Sequence, residues 1–342
     1  MASQPLPIPE QQTSSAVEYP ASRRQTRGLA AQIPQYWHLL SLDAPTVASL
    51  WAWSLARALN IAIPADSLLL LFVGTWLLYI ADRILDGLHK SPTRLRPRHL
   101  FYIRHRTAAL LALIPATGLL TWLICAHMIP PARRADTAII AIFAAYFSLV
   151  HLRKSKAESW FPKELIVAVV FAAATAVPAW TRLNSGLAPR VILLAIDILF
   201  GALCWLNCIA IEKWEQSRLF SKPAIIAPVR SGPNHNTVNM PLRSRLNLIP
   251  PAHITDGTTR WGQRRLRPIC AAVALVALLA AYSIAFVPLF QISQLPAIAV
   301  CGAAAISAAL LFALDYSPLP AHKLRIAADA ALLTPILLLL VR

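Results

Sequence analysis

The stretch LLLLFVGTWLLYIADRILDG, residues 68–87, decides the class of fold. It begins as an almost unbroken apolar run and ends in two carboxylates, Asp82 and Asp86. A carboxylate is not stable without a partner in hydrocarbon, so these acids mark the edge of a membrane-crossing segment. Over the whole chain 57% of the residues are hydrophobic and 14% are charged, and the mean hydropathy of +0.56 excludes an ordinary soluble protein.

The chain contains nine apolar runs that are long enough to cross the hydrocarbon core of a membrane, which takes roughly 20 helical residues. They are rich in Leu, Ala and Ile and lack the alternation of strands, which indicates helices and not an outer-membrane barrel. We therefore predict an all-α, polytopic membrane protein with about nine transmembrane helices. The runs extend over residues 44–63, 66–87, 107–129, 136–152, 163–181, 190–212, 268–290, 295–314 and 322–341.

The basic residues are distributed unevenly between the two sides of the predicted membrane. A net charge of +17 would suit a nucleic-acid-binding protein. With nine crossings, however, 26 of the 32 Lys and Arg residues fall on the side of the N-terminal tail, and five fall on the other side. Cytoplasmic loops carry such an excess. We predict a cytoplasmic N-terminus, an external C-terminus, membrane lipids and no nucleic acid as partners, and the plasma membrane of a bacterium as the location.

Two polar stretches lie outside the apolar runs. Residues 1–36 are rich in Pro, Gln and Ser and lack an apolar signal-peptide core, which predicts a disordered cytoplasmic tail. Residues 37–342 are predicted to form a single transmembrane helical domain. Within it, residues 216–263 are predicted to be a long, partly disordered cytoplasmic loop, because residues 220–258 show no helical periodicity.

The acids at the end of the second run have the spacing of a metal site. Asp82 and Asp86 are four residues apart, so on a helix they share one face, with side chains within about 6 Å of each other. Two such carboxylates repel unless a cation joins them, and Mg²⁺ binds carboxylates together with substrate phosphates. Arg83 could neutralise one acid or bind a phosphate. The simpler alternative is that both acids end the helix and pair with nearby Arg side chains.

A second acidic cluster ends the sixth run, in CWLNCIAIEKWEQSR, residues 204–218. Glu212 and Glu215 are three residues apart and share a helix face. Asn207 lies more than a turn deeper, where an amide needs a partner. Lys213 offers a structural alternative, an ordinary ion pair at the membrane edge. Together, two acidic helix ends beside basic loops favour a site that binds a diphosphate through bridging metal ions.

This combination resembles the UbiA superfamily of intramembrane prenyltransferases, which have nine helices, a cytoplasmic N-terminus and acidic motifs after the second and sixth helices. The first motif of the family is N-D-x-x-D-x-x-x-D. Asp82 matches its central Asp and Asp86 its last, while Leu78 and Tyr79 stand where the family has Asn-Asp.

The second family motif, D-x-x-x-D, is similar to Glu212-x-x-Glu215 only in kind, because both residue type and spacing differ. Lys163 is similar in position to the basic residue that family members carry before the fifth helix. The resemblance covers residues 40–342 in topology.

The resemblance implies an integral membrane prenyltransferase that transfers an isoprenyl group from a prenyl diphosphate to a lipophilic acceptor, often an aromatic ring. It implies Mg²⁺ as the cofactor, basic residues that stabilise the departing diphosphate, and a dry bundle that shields the allylic cation from water. The implied catalytic residues are Asp82, Asp86 and Arg83, the metal ligands are Asp82, Asp86, Glu212 and Glu215, and the substrate-binding residues are Lys163, Asn207, Arg104 and Arg106.

Two other functions remain open from the residues. A non-catalytic membrane bundle that binds a lipid or a partner protein is favoured by Leu78 and Tyr79 at the Asn-Asp positions. A transporter usually has helices broken by Gly or Pro, and the chain contains only ten Gly, which disfavours it.

Structural pairings of charged residues are predicted as well. Arg57 and Asp197 lie at nearly matching depths in their runs, and an unpaired charge there is costly, so we expect them to pair or to share a polar pocket. Near the C-terminus we expect Asp315 and Asp329 to pair with Lys323 or Arg325.

Overall fold

The computed structural model describes residues 29–89, 97–152, 163–183, 186–221, 257–286 and 295–340. Within these ranges the regular elements are all helices and no strand occurs, which confirms the all-α prediction. The elements are α1 (Leu29–Leu39), α2 (Asp43–Ala58), α3 (Ala65–His89), α4 (Pro97–Arg104), α5 (Arg106–Ala126), α6 (Pro130–Leu152), α7 (Lys163–Trp180), α8 (Leu187–Ser221), α9 (Gly257–Arg264), α10 (Leu266–Phe286), α11 (Leu295–Leu314), α12 (Ala321–Ala331) and a C-terminal 3₁₀ helix (Thr334–Leu340).

Six of the described helices, α3, α5, α7, α8, α10 and α11, are long and apolar enough to cross a membrane. They coincide with the second, third, fifth, sixth, seventh and eighth predicted runs, so the chain is a multi-pass helical membrane protein. Within the described residues, the first, fourth and ninth runs do not form helices that are both long and apolar enough to cross a membrane. The first run forms α2, which has 16 residues and therefore a length of only about 24 Å.

The ninth run is divided into two short elements. Pro335 has no backbone N–H and its ring crowds the preceding turn, so α12 ends at Ala331 and the chain continues as the 3₁₀ helix. The hydroxyl of Thr334 donates to the carbonyl oxygen of Ala303 at 2.8 Å and lies 2.6 Å from the hydroxyl of Ser307. These contacts attach the 3₁₀ helix to α11.

Helix α2 lies at the centre of the bundle, where it packs against α3, α7, α8, α11, α12 and the 3₁₀ helix. Trp51 is fully buried, its ring stacks on Phe200 with centroids 4.5 Å apart, and its Nε1 donates to the carbonyl oxygen of Leu332 at 2.8 Å. Helix α5, in contrast, is hardly buried by protein. Only 6% of its apolar stretch is buried, and side chains such as Leu111 and Ile114 are exposed. Such a surface suits contact with lipid tails.

The N-terminal helix begins inside the segment predicted to be a disordered tail. Helix α1 starts at Leu29, whereas the predicted tail ends at residue 36. Residues 1–28 lie outside the described part of the chain.

The long loop predicted for residues 216–263 is helical at both of its ends. Helix α8 continues to Ser221 and α9 begins at Gly257, while residues 222–256 lie outside the described residues. Helix α9 packs closely on α8, because a Cβ at Gly262 would lie 2.6 Å from Cδ1 of Ile209. The returning chain is therefore docked against the bundle.

Candidate functional site

Polar side chains gather at two opposite ends of the bundle. The Asp43 end contains the start of α2, the end of α3, the start of α7 and the end of α8. At this end Asn207 Nδ2 donates a hydrogen bond to Asp329 Oδ1 at 2.9 Å. The Asp66 end contains the end of α2 and the start of α3, and there His127 Nδ1 lies 2.8 Å from Asp66 Oδ2. All the site residues predicted from the sequence belong to elements of the Asp43 end.

In the first acidic motif, Asp82 is directed partly toward solvent. The side chain of Asp82 is half exposed, and its Oδ2 accepts a hydrogen bond from Arg83 at 2.8 Å. Asp86 lies in α3, but its side chain is outside the described part of the structure. The pairing of an acid with a neighbouring Arg, which was the simpler alternative from the sequence, is therefore present at Asp82.

Arg83, in contrast to Asp82, is buried. Its exposed fraction is 8%, its guanidinium carbon lies 5.6 Å from the centroid of the Tyr79 ring, and its Nε has no hydrogen-bond partner. Tyr79 in turn lies within electrostatic range of Asp43 and Asp329. A buried guanidinium with an unused donor is costly, and an anion at this position would relieve that cost.

The second acidic cluster is engaged by neighbouring side chains. Glu212 Oε1 accepts a hydrogen bond from Gln216 at 3.0 Å, one turn further along α8. Glu215 Oε1 forms an ion pair with Arg325 at 2.8 Å, and this contact joins α8 to α12. The two glutamates thus lie on a packed face of α8 and not on a free loop.

Lys163, Arg104 and Arg106 are exposed. Lys163 stands at the start of α7, within electrostatic range of the Cys208 thiol, as are Glu212 and Asp329. Helices α7, α8 and α12 therefore bring basic and acidic groups to one region. Arg104 and Arg106 lie where α4 meets α5.

Among the described residues, His38, Asp43 and Asp329 form a compact group of potential metal ligands, which we call the His–Asp–Asp cluster. His38 Nδ1 lies 2.8 Å from Asp43 Oδ2 and 3.6 Å from Asp329 Oδ2. One ligand atom from each residue lies within 4.8 Å of the others. The side chains are 16–17% exposed, so the cluster is largely shielded from solvent yet accessible.

Sequence reasoning did not include this cluster among the site residues. Asp329 falls inside the ninth apolar run, and an acid within such a run is a site hypothesis by default. That signal was present, but it was interpreted as a helix-fixing ion pair. His38 and Asp43 lie before the first run, and nothing in their spacing indicates that the distant α12 reaches them.

The predicted contact between Arg57 and Asp197 does not form. Arg57 is exposed near the end of α2, and Asp197 Oδ1 is buried with no hydrogen-bond partner. Similar depth along two helices is therefore not sufficient for a contact.

Asp315 pairs with residues other than those predicted. Both of its carboxylate oxygens accept from Lys213 at 2.8–2.9 Å, Oδ1 also accepts from Trp214 Nε1 at 2.9 Å, and Oδ2 from Arg267 Nε at 2.7 Å. The prediction of pairing with Lys323 or Arg325 is therefore wrong for Asp315. Burial alone would raise the pKa of the Asp315 carboxyl, but the hydrogen bonds from Lys213, Trp214 and Arg267 hold it below its usual range.

The fold and the polar ends define the chain as a multi-pass, all-helical membrane protein. Comparison with known protein families, curated proteins and solved structures gives no match to it.

Proposed function

We propose that the chain is an integral membrane prenyltransferase of UbiA-like type, which binds a prenyl diphosphate at the Asp43 end and transfers its isoprenyl group to a lipophilic acceptor. The observation that carries this proposal is the burial of Arg83, whose Nε has no hydrogen-bond acceptor. Arg83 lies in α3, which leads from an apolar span to the membrane edge. A diphosphate would supply acceptors for such a group, and the prenyl tail would lie among apolar helices.

The topology is part of the proposal. Nine segments would cross the membrane, with α2, α6, and α12 together with the 3₁₀ helix added to the six long apolar helices. Support comes from the charges, since the Asp43 end contains many more Lys and Arg residues than the Asp66 end, as a cytoplasmic surface does. The basic residues with described side chains at the Asp43 end are Arg83, Arg104, Arg106, Lys163, Lys213, Arg260, Arg264, Arg265, Arg267, Lys323 and Arg325, and those at the Asp66 end are Arg57, Arg133, Arg134, Arg182 and Arg190.

The proposed roles follow from chemistry and position. Asp82, Asp86, Glu212 and Glu215 would hold Mg²⁺, which when bound would neutralise diphosphate charge. Arg83 would bind the diphosphate from within the bundle. Lys163, Arg104 and Arg106 would assist from the solvent side, where they are exposed, and Asn207 would lie behind the site.

A non-catalytic bundle that binds a lipid or a partner protein is the second candidate. The observation in its favour is the ion pair between Glu215 and Arg325, because it gives an expected metal ligand a structural role between α8 and α12. Such a protein could retain anion binding at Arg83 without any group transfer.

The test is binding of a radiolabelled prenyl diphosphate to the purified, full-length protein in detergent with Mg²⁺. Arg83→Gln should weaken binding about tenfold or more, since a hydrogen bond to a charged group contributes about 1.5–3 kcal/mol. Arg134→Gln, at an exposed position of the Asp66 end, is the matched control and should change binding little. Comparable size-exclusion profiles would establish that both variants are folded.

Each outcome separates the two candidates. Binding that needs Mg²⁺ and Arg83, together with transfer to a lipophilic aromatic acceptor, supports the enzyme. Binding without transfer to any of a panel of such acceptors supports the non-catalytic bundle. Absence of binding in the wild type, or equal binding by Arg83→Gln, overturns the role of this site.

A further inference from the structure

The His–Asp–Asp cluster has the geometry of a metal site. Its ligand atoms come from three separate elements, α1, α2 and α12, and the His38 nitrogen lies 2.8 and 3.6 Å from the two carboxylate oxygens. Three ligands placed about 2.1 Å from one ion lie roughly 3–3.5 Å from one another. The observed separations therefore need little adjustment to take an ion.

Two buried acceptors at this position have no donor. Asp329 Oδ2 has no hydrogen-bond partner, and neither has Asn207 Oδ1, although Asn207 is 8% exposed and its amide is directed at Asp329. Buried polar atoms are normally satisfied, so unpaired ones at a cluster need an explanation. A bound cation would satisfy both atoms, because each is an oxygen that can accept but cannot donate.

The alternative is a proton shared between the two carboxyl groups. Both arrangements would have a net charge of zero. The first combines a protonated His38 with one ionised and one protonated Asp, and the second combines a divalent ion with a neutral His38 and two ionised Asp side chains. Rotation of the Asn207 amide would turn its oxygen toward the cluster, where a protonated Asp329 could donate to it or an ion could bind it as a fourth ligand. The titration with metal decides between the proton and the ion.

We propose that His38, Asp43 and Asp329 bind one divalent transition-metal ion, with Asn207 as a neighbouring oxygen donor. One imidazole with carboxylates suits Mn²⁺ or Zn²⁺, whereas Mg²⁺ and Ca²⁺ take oxygen ligands. The ion would join α1 and α12 to the central helix α2. This site is separate from the carboxylates assigned to Mg²⁺ in the proposed transferase, and it does not depend on that activity.

The experiment titrates Mn²⁺ alone into EDTA-treated, dialysed full-length protein in detergent, without any prenyl diphosphate. Loss of the free Mn²⁺ signal in electron paramagnetic resonance measures binding. The wild type should bind about one ion per chain, and Asp329→Asn or His38→Gln should weaken binding at least about tenfold. Mn²⁺ or Zn²⁺ should also raise the melting temperature of the wild type and not that of His38→Gln.

The matched control is Asp66→Asn, because His127 and Asp66 form a pair of the same 2.8 Å length at the other end, and no described side chain completes a group of three ligands there. It should leave Mn²⁺ binding unchanged. Failure of the wild type to bind Mn²⁺ or Zn²⁺, with no metal-dependent rise in melting temperature, would overturn the site in favour of a shared proton. Equal loss of binding in Asp66→Asn and His38→Gln would also overturn it. Should Asp329→Asn fail to fold, His38→Gln alone decides the outcome.

Discussion

The two ends of the bundle contain the same His–Asp pair in different surroundings. His38–Asp43 and His127–Asp66 both have Nδ1 and a carboxylate oxygen 2.8 Å apart. At the Asp66 end the two side chains are 38% and 26% exposed. At the Asp43 end both are 16% exposed, and Asp329 and Asn207 lie beside them. The His–Asp pair is a surface contact at the Asp66 end and part of a candidate site at the Asp43 end. The difference is α12, which brings Asp329 beside His38 and Asp43.

The Asp66 end also shows how polar groups are satisfied when they only close helix ends. Arg182 donates to the carbonyl oxygen of Pro178 at 3.0 Å and to the hydroxyl of Ser67 at 3.0 Å. Arg133 donates to the carbonyl oxygen of Ile124 at 2.9 Å. Such contacts use orphan carbonyls near the ends of α5 and α7. Unpartnered buried acceptors, in contrast, occur in the His–Asp–Asp cluster, at its neighbour Asn207 and deeper in the bundle at Asp197.

The largest expected difference between the ends is in stability. Asp315→Asn should lower the free energy of unfolding by about 3 kcal/mol, because it removes the charge shared by Lys213 and Arg267 at a carboxylate that is 2% exposed. Asp66→Asn should cost about 1 kcal/mol or less, since both members of its ion pair are partly exposed to solvent. Unfolding in a mild detergent titrated with dodecyl sulfate measures both, and equal losses would contradict the comparison.

The same carboxyl group predicts a dependence on pH. The pKa of Asp315 is below its usual range in the folded protein, so its contribution to stability is present above the unfolded-state pKa and is lost as pH falls through the folded-state value. The stability of the wild type should therefore decrease in acid below about pH 4. The Asp315→Asn variant should lose less over that interval, and parallel curves would show that Asp315 is not responsible.

Asp329→Asn should behave in the opposite way to Asp315→Asn when metal has been removed. The two acids of the His–Asp–Asp cluster lie close together, so removing one charge relieves repulsion. In EDTA the free energy of unfolding of the variant should equal or exceed that of the wild type. Adding Mn²⁺ should reverse the order, and a large loss in EDTA would identify Asp329 as an ordinary structural acid.

The smallest expected effect concerns the docking of α9 at the Asp43 end. Gly262→Ala places a methyl group 2.6 Å from Cδ1 of Ile209, the mobile end of a side chain, so the loss should be about 1 kcal/mol at most. Gly302→Ala, where nothing lies within 4 Å, should be neutral or slightly stabilising. Melting temperatures in detergent compare the two.

Ile209→Val removes the atom that the new methyl group would meet. Combining it with Gly262→Ala should cost less than the sum of the two single changes. Additive losses would show that α9 is not docked at this contact.

The sequence predicted more of the architecture than of the site. Hydropathy located six spanning helices because length and composition are local properties. It treated the first run like the others, although α2 is the central helix, since hydropathy does not distinguish a side chain buried by protein from one that faces lipid. The sequence predicts that Arg83 binds phosphate beside two acids, and the structure adds that Arg83 is buried and that Asp82 is half exposed.

By itself, then, the amino-acid sequence determined that this is a helical, multi-pass membrane protein, because the cost of unsatisfied backbone groups in lipid leaves apolar runs of this length no other structure. Only the tertiary structure decided which polar side chains meet. Asp329 reaches His38 and Asp43 across almost three hundred residues of chain, and Asp315 pairs with Lys213 and not with Lys323. Such contacts depend on helix rotation and packing, which no local pattern specifies.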